Sequence, residues 1–165
     1  MEEKQEGKVY ELDKEQELRV EVENEKVVVT LIDGSAELFG TELVKDKEYT
    51  FSQAKFAIFT WHGCELRVKG KFASCSAGTP TETPMVSYIN THAALENLRV
   101  HCGQLYATPL QVMLTGPVDS GKSTIVRILL NYAVRAGWYS FQAKLCRKPT
   151  FVDLDIGQNA ITCPV

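Results

Sequence analysis

Leu18, Val20 and Val22 alternate with Arg19 and Glu21 in strict period two, which sets the aliphatic side chains on one face of a half-buried strand. Short apolar runs of the same kind recur at Val27–Leu31, Ala36–Phe39, Lys55–Thr60, Leu66–Val68 and Met85–Ile89. Turn residues stand between them, at Asp33-Gly34, Gly40, His62-Gly63, Lys69-Gly70 and Gly78-Thr79-Pro80. Regular short strands without an intervening helix predict an all-β sandwich over residues 1–89.

After Asn90-Thr91 the period lengthens. Either residue suits a helix cap, and Ala93, Ala94, Leu95 and Leu98 supply an apolar face up to Gly103, so residues 90–110 read as a helical connector. Residues 111–165 then predict a strand at 111–115, a loop, a helix over about 123–136 stopped by Gly137, and a strand from Phe151 to Asp155. That order is a βαβ unit, the start of a parallel sheet. Two strands and one helix are too few to cover both faces of such a sheet, so the unit reads as an incomplete α/β P-loop NTPase domain.

The loop inside this unit carries the most chemistry. Gly116-Pro117-Val118-Asp119-Ser120-Gly121-Lys122-Ser123 matches G-x-x-x-x-G-K-[ST] between the expected strand and helix. The glycines let the chain wrap a phosphate with its N–H groups pointing inward. Lys122 brings a positive charge to the β- and γ-phosphates, the Ser123 hydroxyl is placed for Mg²⁺, and the helix presents its positive end to the anion. The nucleotide contacts are expected on Asp119, Ser120, Gly121, Lys122, Ser123 and Thr124. The acids of the last strand, Asp153 and Asp155, share one face. Asp155, nearer the strand tip, is expected beside the γ-phosphate as base or Mg²⁺ ligand, with Asp153 as support or as a merely polar strand end.

Composition narrows the class further. With 165 residues, 44% apolar and 24% charged, the chain has enough material for a globular core. It has no apolar run long enough for a membrane span, and Met1–Glu6 lacks the apolar segment of a signal peptide, so it reads as intracellular. Its five cysteines form no C-x-x-C pair and read as free thiols rather than a disulfide or zinc framework. Residues 1–89 hold 11 basic against 17 acidic residues, whereas residues 90–165 hold 7 against 4. The basic second part suits a polyanion, although a solvated helix face explains Arg127 and Arg135 equally well.

Several strings together resemble the Clp-type polyribonucleotide 5′-hydroxyl kinase family. They are Gly116-Pro117-x-Asp119-x-Gly121-Lys122-Ser123-Thr124, Leu130–Arg135, Asp153-Leu154-Asp155-x-Gly157-Gln158, Ala36–Leu43, Phe59-Thr60-Trp61-His62-Gly63-Cys64 and Thr83-Pro84-Met85. The resemblance covers nearly the whole chain and implies an N-terminal β-sandwich, a P-loop kinase domain, ATP with Mg²⁺, and transfer of the γ-phosphate to an RNA 5′-hydroxyl end. It also implies a nuclear location, a scaffold subunit of the mRNA cleavage factor and the tRNA splicing endonuclease as partners, and no membrane. By position it adds Glu17 and Lys55 to the nucleotide contacts, residues that by themselves read as exposed strand positions. It assigns activation of the RNA hydroxyl to Asp155.

Two segments depart from the family pattern. Residues 99–110 contain Gly103 and Pro109 where relatives carry a long charged helix, and residues 138–148 lengthen a connection that relatives keep short. The family's lid arginines and C-terminal domain have no counterpart before Val165, so this chain alone is expected to transfer little phosphate. Two readings stay open, the ATP-binding part of an RNA 5′-kinase and a non-catalytic ATP-binding assembly subunit of the 3′-end processing complex. A regulatory GTPase is disfavoured, since Asp153–Gly157 offers no D-x-x-G and no N-K-x-D follows.

Overall fold

The computed structural model describes residues 7–105, 110–139 and 149–153. Its first part is antiparallel throughout, with β1 (Lys8–Leu12), β2 (Glu17–Gly34), β3 (Glu37–Leu38), β4 (Thr41–Glu42), β5 (Glu48–Phe59), β6 (Cys64–Gly70) and β7 (Ser74–Gly78). The strand order is β1-β6-β2-β5-β3-β4, and β7 pairs with β2. β5 runs along one edge of β2, while β7 takes the first stretch of the other edge (Glu17↔Gly78) and β6 the second (Val29↔Val68).

The two alternating runs at Leu18–Val22 and Val27–Leu31 are halves of this one long strand. Pairing with β5 passes from Val22↔Ala54 to Lys26↔Ser52, so β2 advances four residues while β5 advances two. The bulge at Glu23-Asn24-Glu25 switches the inward parity from Leu18, Val20 and Val22 to Val27, Val29 and Leu31, all of them buried. β5 switches with it, from Tyr49 and Phe51 to Phe56 and Ile58, across Gln53 at φ +48°. Both halves, with Leu12, Leu66 and Val68, feed one core, which is how a continuous ribbon of strands becomes an antiparallel sandwich.

β1 and β7 carry no apolar alternation that would announce them. Ser74–Gly78 is held by its backbone ladder to β2 rather than by a buried face, and the burial pattern of Lys8–Leu12 closes inward only at Leu12.

The expected strand at Met85–Ile89 is instead the beginning of α1 (Met85–Leu105), which also starts before Asn90-Thr91 and passes Gly103. Thr83 and Pro84 decide the matter. The Thr83 hydroxyl accepts from the Met85 N–H at 3.4 Å, Pro84 supplies the preset first helical turn, and Tyr88 N–H donates to the Pro84 carbonyl at 3.1 Å. Met85 and His92 are buried and Ile89 packs beside Met85, a helical spacing that a five-residue window cannot separate from a strand.

α2 (Lys122–Tyr139) follows the loop as expected and continues past Gly137. The flanking strands are not formed among the described residues: 110–117 and 151–153 carry no strand pairing, and Val112, Met113 and Val152 are exposed. A parallel strand exists only by pairing with a neighbour, and the described residues supply none there. Among these residues no helix is long and apolar enough to cross a membrane.

Candidate functional site

α2 is held against the sandwich by the strings singled out in the sequence. Ile128 and Tyr132 join Phe59 and Met85 in a second buried cluster, flanked by Phe39, Trp61, Tyr88 and Ile89. Gly40 permits this approach, since at φ +81° a Cβ there would lie 3.2 Å from the Ile128 carbonyl oxygen. Asn131 Nδ2 donates to the Phe39 carbonyl at 2.8 Å.

The buried carboxylate of Glu37 accepts from the Tyr132 hydroxyl and, at 2.9 Å, from Arg135 Nη1, which also donates to the Gly40 carbonyl at 2.9 Å. Arg135 Nη2 reaches Glu42. Burial, and then the hydrogen bond to Glu37, push the Tyr132 hydroxyl well above its ordinary value, so it stays a donor. Burial works against the charged Arg135 guanidinium, but the Glu37 and Glu42 carboxylates more than offset it. Arg127 lies 5.6 Å from the Phe39 ring centroid. Arg135 therefore packs onto the sandwich, while Arg127 stays exposed on the helix surface beside Phe39.

The Phe59–Cys64 string has its own structural cause. Fully buried Thr60 donates its hydroxyl to the Ser35 carbonyl at 2.6 Å and accepts from the Gly63 N–H at 2.9 Å, fixing the β5–β6 turn. Burial raises the Cys64 thiol to about 11, and Cys64, Cys75 and Cys102 are free.

The phosphate-loop sequence lies at the start of α2 and is exposed from Gly116 to Gly121. Asp119 and Gly121 sit at φ +59° and +79°, the left-handed conformations that turn the chain back into the helix. Within the loop the Pro117 carbonyl accepts from Ser120 Oγ at 2.8 Å and from Lys122 Nζ at 2.6 Å. A Cβ on Gly116 would come 3.2 Å from Ser120 Oγ, so Gly116 lets the Ser120 side chain lie close over the loop backbone. A polyanion fits the loop, because Lys122 would exchange a neutral carbonyl for a charge-assisted bond.

A cleft of about 530 Å³ is lined by Glu17, Lys55 and Phe56 from the sandwich and by Thr124 and Ile128 from α2. Glu17 and Lys55 thus share one cavity with Thr124, in the first turn of α2 just after the loop motif. Glu17 is not the exposed strand residue its neighbours suggest, being 4% exposed and bonded to Arg19 and Thr83. Lys55 is exposed and pairs with Glu21. The hydrogen bond to Glu21, then its charge, hold the Lys55 amine above its ordinary value, with Glu23 and Asp119 adding to the effect; the same pair holds Glu21 below 4.5. Asp153 is exposed, and Asp155 lies outside the described residues. Arg19 and Glu21 also line the cleft, and strand alternation alone does not reveal them. The Thr83-Pro84-Met85 string contributes Pro84 and Met85 to the same lining.

Two family models match the chain. Residues 11–102 match the N-terminal beta-sandwich domain of polyadenylation factor, and residues 116–165 match the mRNA cleavage and polyadenylation factor CLP1 P-loop. Among curated relatives, the Protein CLP1 homolog of Drosophila mojavensis is 52% identical over 96% of this chain and 35% of its own length. That of Drosophila melanogaster is 50% identical over 94% and 35%. The chain thus spans about a third of the length of these relatives. Two solved structures of Clp1p resemble it, each covering 79% of this chain and 31% of that one. One, described as an extended interface between Pcf11p and Clp1p with a point mutant that loses ATP, has a TM-score of 0.67 and 27% identity. The other, a wild-type Clp1p–Pcf11p complex, has a TM-score of 0.64 and 29% identity.

Proposed function

Because the chain belongs to the CLP1 family of mRNA cleavage and polyadenylation factors, we propose that it is the ATP-holding region of a polyribonucleotide 5′-hydroxyl kinase serving pre-mRNA 3′-end cleavage and tRNA splicing in the nucleus. The observation that carries this reading is the convergence of the loop end, through Thr124, with Glu17 and Lys55 on one cleft. Lys122 and the loop N–H groups hold the phosphates. Lys55, its charge supported by Glu21, stands on the sandwich side of the same cavity. Bound Mg²⁺ would neutralise phosphate charge, with Ser123 as one ligand and Asp155 as the other. In the kinase reading Asp155 also accepts the proton of the RNA hydroxyl.

A second reading, a non-catalytic ATP-binding subunit that assembles the processing complex, is favoured by the solved relatives, which are Clp1p bound to Pcf11p. A Pcf11-like scaffold is the partner under either reading. The two separate with γ-labelled ATP and a 5′-hydroxyl RNA, offered to this chain joined to the remaining two thirds of a Drosophila relative. Label transfer that Asp155→Asn abolishes while ATP binding persists supports the kinase. ATP retention with no transfer supports the assembly subunit, and transfer lost only with Asp153→Asn would exchange the roles of the two acids.

A further inference from the structure

The turn that leads from β7 toward α1, Thr79-Pro80-Thr81-Glu82, is exposed throughout. It closes on itself from both ends: Glu82 N–H donates to the Thr79 carbonyl at 3.0 Å, and Thr79 N–H donates to the Glu82 carboxylate at 2.9 Å. That N–H, then the Thr79 hydroxyl, with a smaller effect of the Arg19 charge, hold the Glu82 carboxyl below its ordinary value. Arg19 adjoins the same turn. Its Nη2 donates to the Glu82 carbonyl at 2.9 Å, and a Cβ on Gly78, the residue before Thr79, would lie 3.6 Å from both Nε and Nη2. The Thr79 hydroxyl, 3.1 Å from that of Thr81, therefore belongs to a turn held by one carboxylate and one guanidinium.

Thr-Pro, the dipeptide that proline-directed protein kinases require, stands at 79, 83 and 108. Their surroundings differ. Thr83 is 9% exposed with its hydroxyl given to Glu17, and Thr108 lies outside the described residues, whereas Thr79 is exposed and Pro80 biases it to the extended backbone that a kinase groove takes. We propose that Thr79 is a phosphorylation site for a proline-directed kinase, and that the phosphate displaces the Glu82 carboxylate and takes Arg19 Nη2 from the Glu82 carbonyl. In the transfer, Thr79 Oγ1 bonds to the γ-phosphorus of the kinase's ATP as the bond to the bridging oxygen breaks; ADP leaves, and the hydroxyl proton passes to the kinase's catalytic carboxylate. A group of charge about −1.5 to −2 repels the carboxylate beside it and offers Arg19 a charge-assisted bond in place of a neutral one. Arg19 Nε, 2.6 Å from Glu17 Oε1, keeps that acid, since the guanidinium has donors for both. Because Arg19 and Glu17 line the cleft, the modified turn is fastened to the cleft wall through one side chain.

Incubating the 165-residue chain with a proline-directed kinase and ATP, locating the phosphate by mass spectrometry and titrating it by phosphorus NMR tests this. The phosphate should fall on Thr79, and its second midpoint should lie about 0.5 or more below the ordinary value of about 6. Arg19→Met should return that midpoint to about 6, and Arg19→Lys should keep part of the drop. If Arg19→Met fails to fold, the unaltered sequence still decides: on phosphorylation the Glu82 carboxyl should rise toward 4.5, because it loses the Thr79 N–H. Phosphate confined to Thr81, Thr83 or Thr108, no phosphate at all, or a Thr79 phosphate with an ordinary midpoint and an unmoved Glu82 overturns the inference.

Discussion

Lys122, at the start of α2, and Lys55, on the sandwich, are held in different ways. Lys122 rests on a carbonyl of its own loop, a neutral partner that an anion outcompetes, so Lys122→Ala should lower ATP affinity roughly ten- to a hundred-fold. Circular dichroism of the variant should keep the sandwich signal, since no core contact is lost; unchanged nucleotide binding would refute the assignment. Lys55 is bound to Glu21, and the pair has a definite pH window. Glu21 titrates below 4.5, so its contribution is fully present above that value and fades as the pH falls through the lowered midpoint. Lys55 titrates above 10.5, so its contribution is present below that value and fades as the pH rises through the raised midpoint. The pair therefore survives across neutral pH. Lys55→Met should move the Glu21 carboxyl midpoint up toward 4.5 in an NMR titration, and a midpoint that stays put would show that Lys55 is not its cause.

At the level of elements, the important contact is between α2 and the β3–β4 hairpin. Glu37 is buried and its two donors, Tyr132 and Arg135, both come from α2, so the helix carrying the phosphate loop is tied to the sandwich through one carboxylate. Tyr132→Phe removes one donor and leaves Glu37 dependent on Arg135, which should cost about 1–3 kcal/mol. Hydrogen exchange should then rise along α2 while β2, β5 and β6 keep their protection, because their core does not include Tyr132. Equal loss of protection in both regions would mean that helix and sandwich unfold as one unit.

For the whole molecule, a nucleotide that touches both the loop and the sandwich wall couples the two parts. Ligand at a hundredfold excess over its dissociation constant stabilises the bound state by about 2.7 kcal/mol. In a protein of this size that raises the melting temperature by roughly 5–10 °C. ATP should give such a rise with the intact chain and none with Lys122→Ala, read by thermal unfolding at matched Mg²⁺. A rise that persists in the variant would place ATP elsewhere.

Whatever contiguous residues encode was legible from the sequence by itself. The alternation in β2, β5 and β6 announced the sandwich, because period two over a few residues defines a buried face. The loop motif and the helix after it were readable for the same reason, since eight adjacent residues specify backbone shape and charge together. The strings at Ala36–Leu43, Phe59–Cys64 and Leu130–Arg135 marked the family without revealing what they do. Tertiary structure alone decided that they meet. Glu37 lies 95 residues from Tyr132 and Glu17 lies 66 from Thr83, so whether either acid is solvated or buried depends on a partner no local window contains. It also decided that Leu18–Val22 and Val27–Leu31 are one strand bent at a bulge, and that Met85–Ile89 is helical. The physical reason is the same in each case: periodicity and loop chemistry are properties of neighbours along the chain, while the burial of a charge, the pairing of an apolarly silent strand such as β7 and the register across a bulge are set by what the rest of the chain brings alongside.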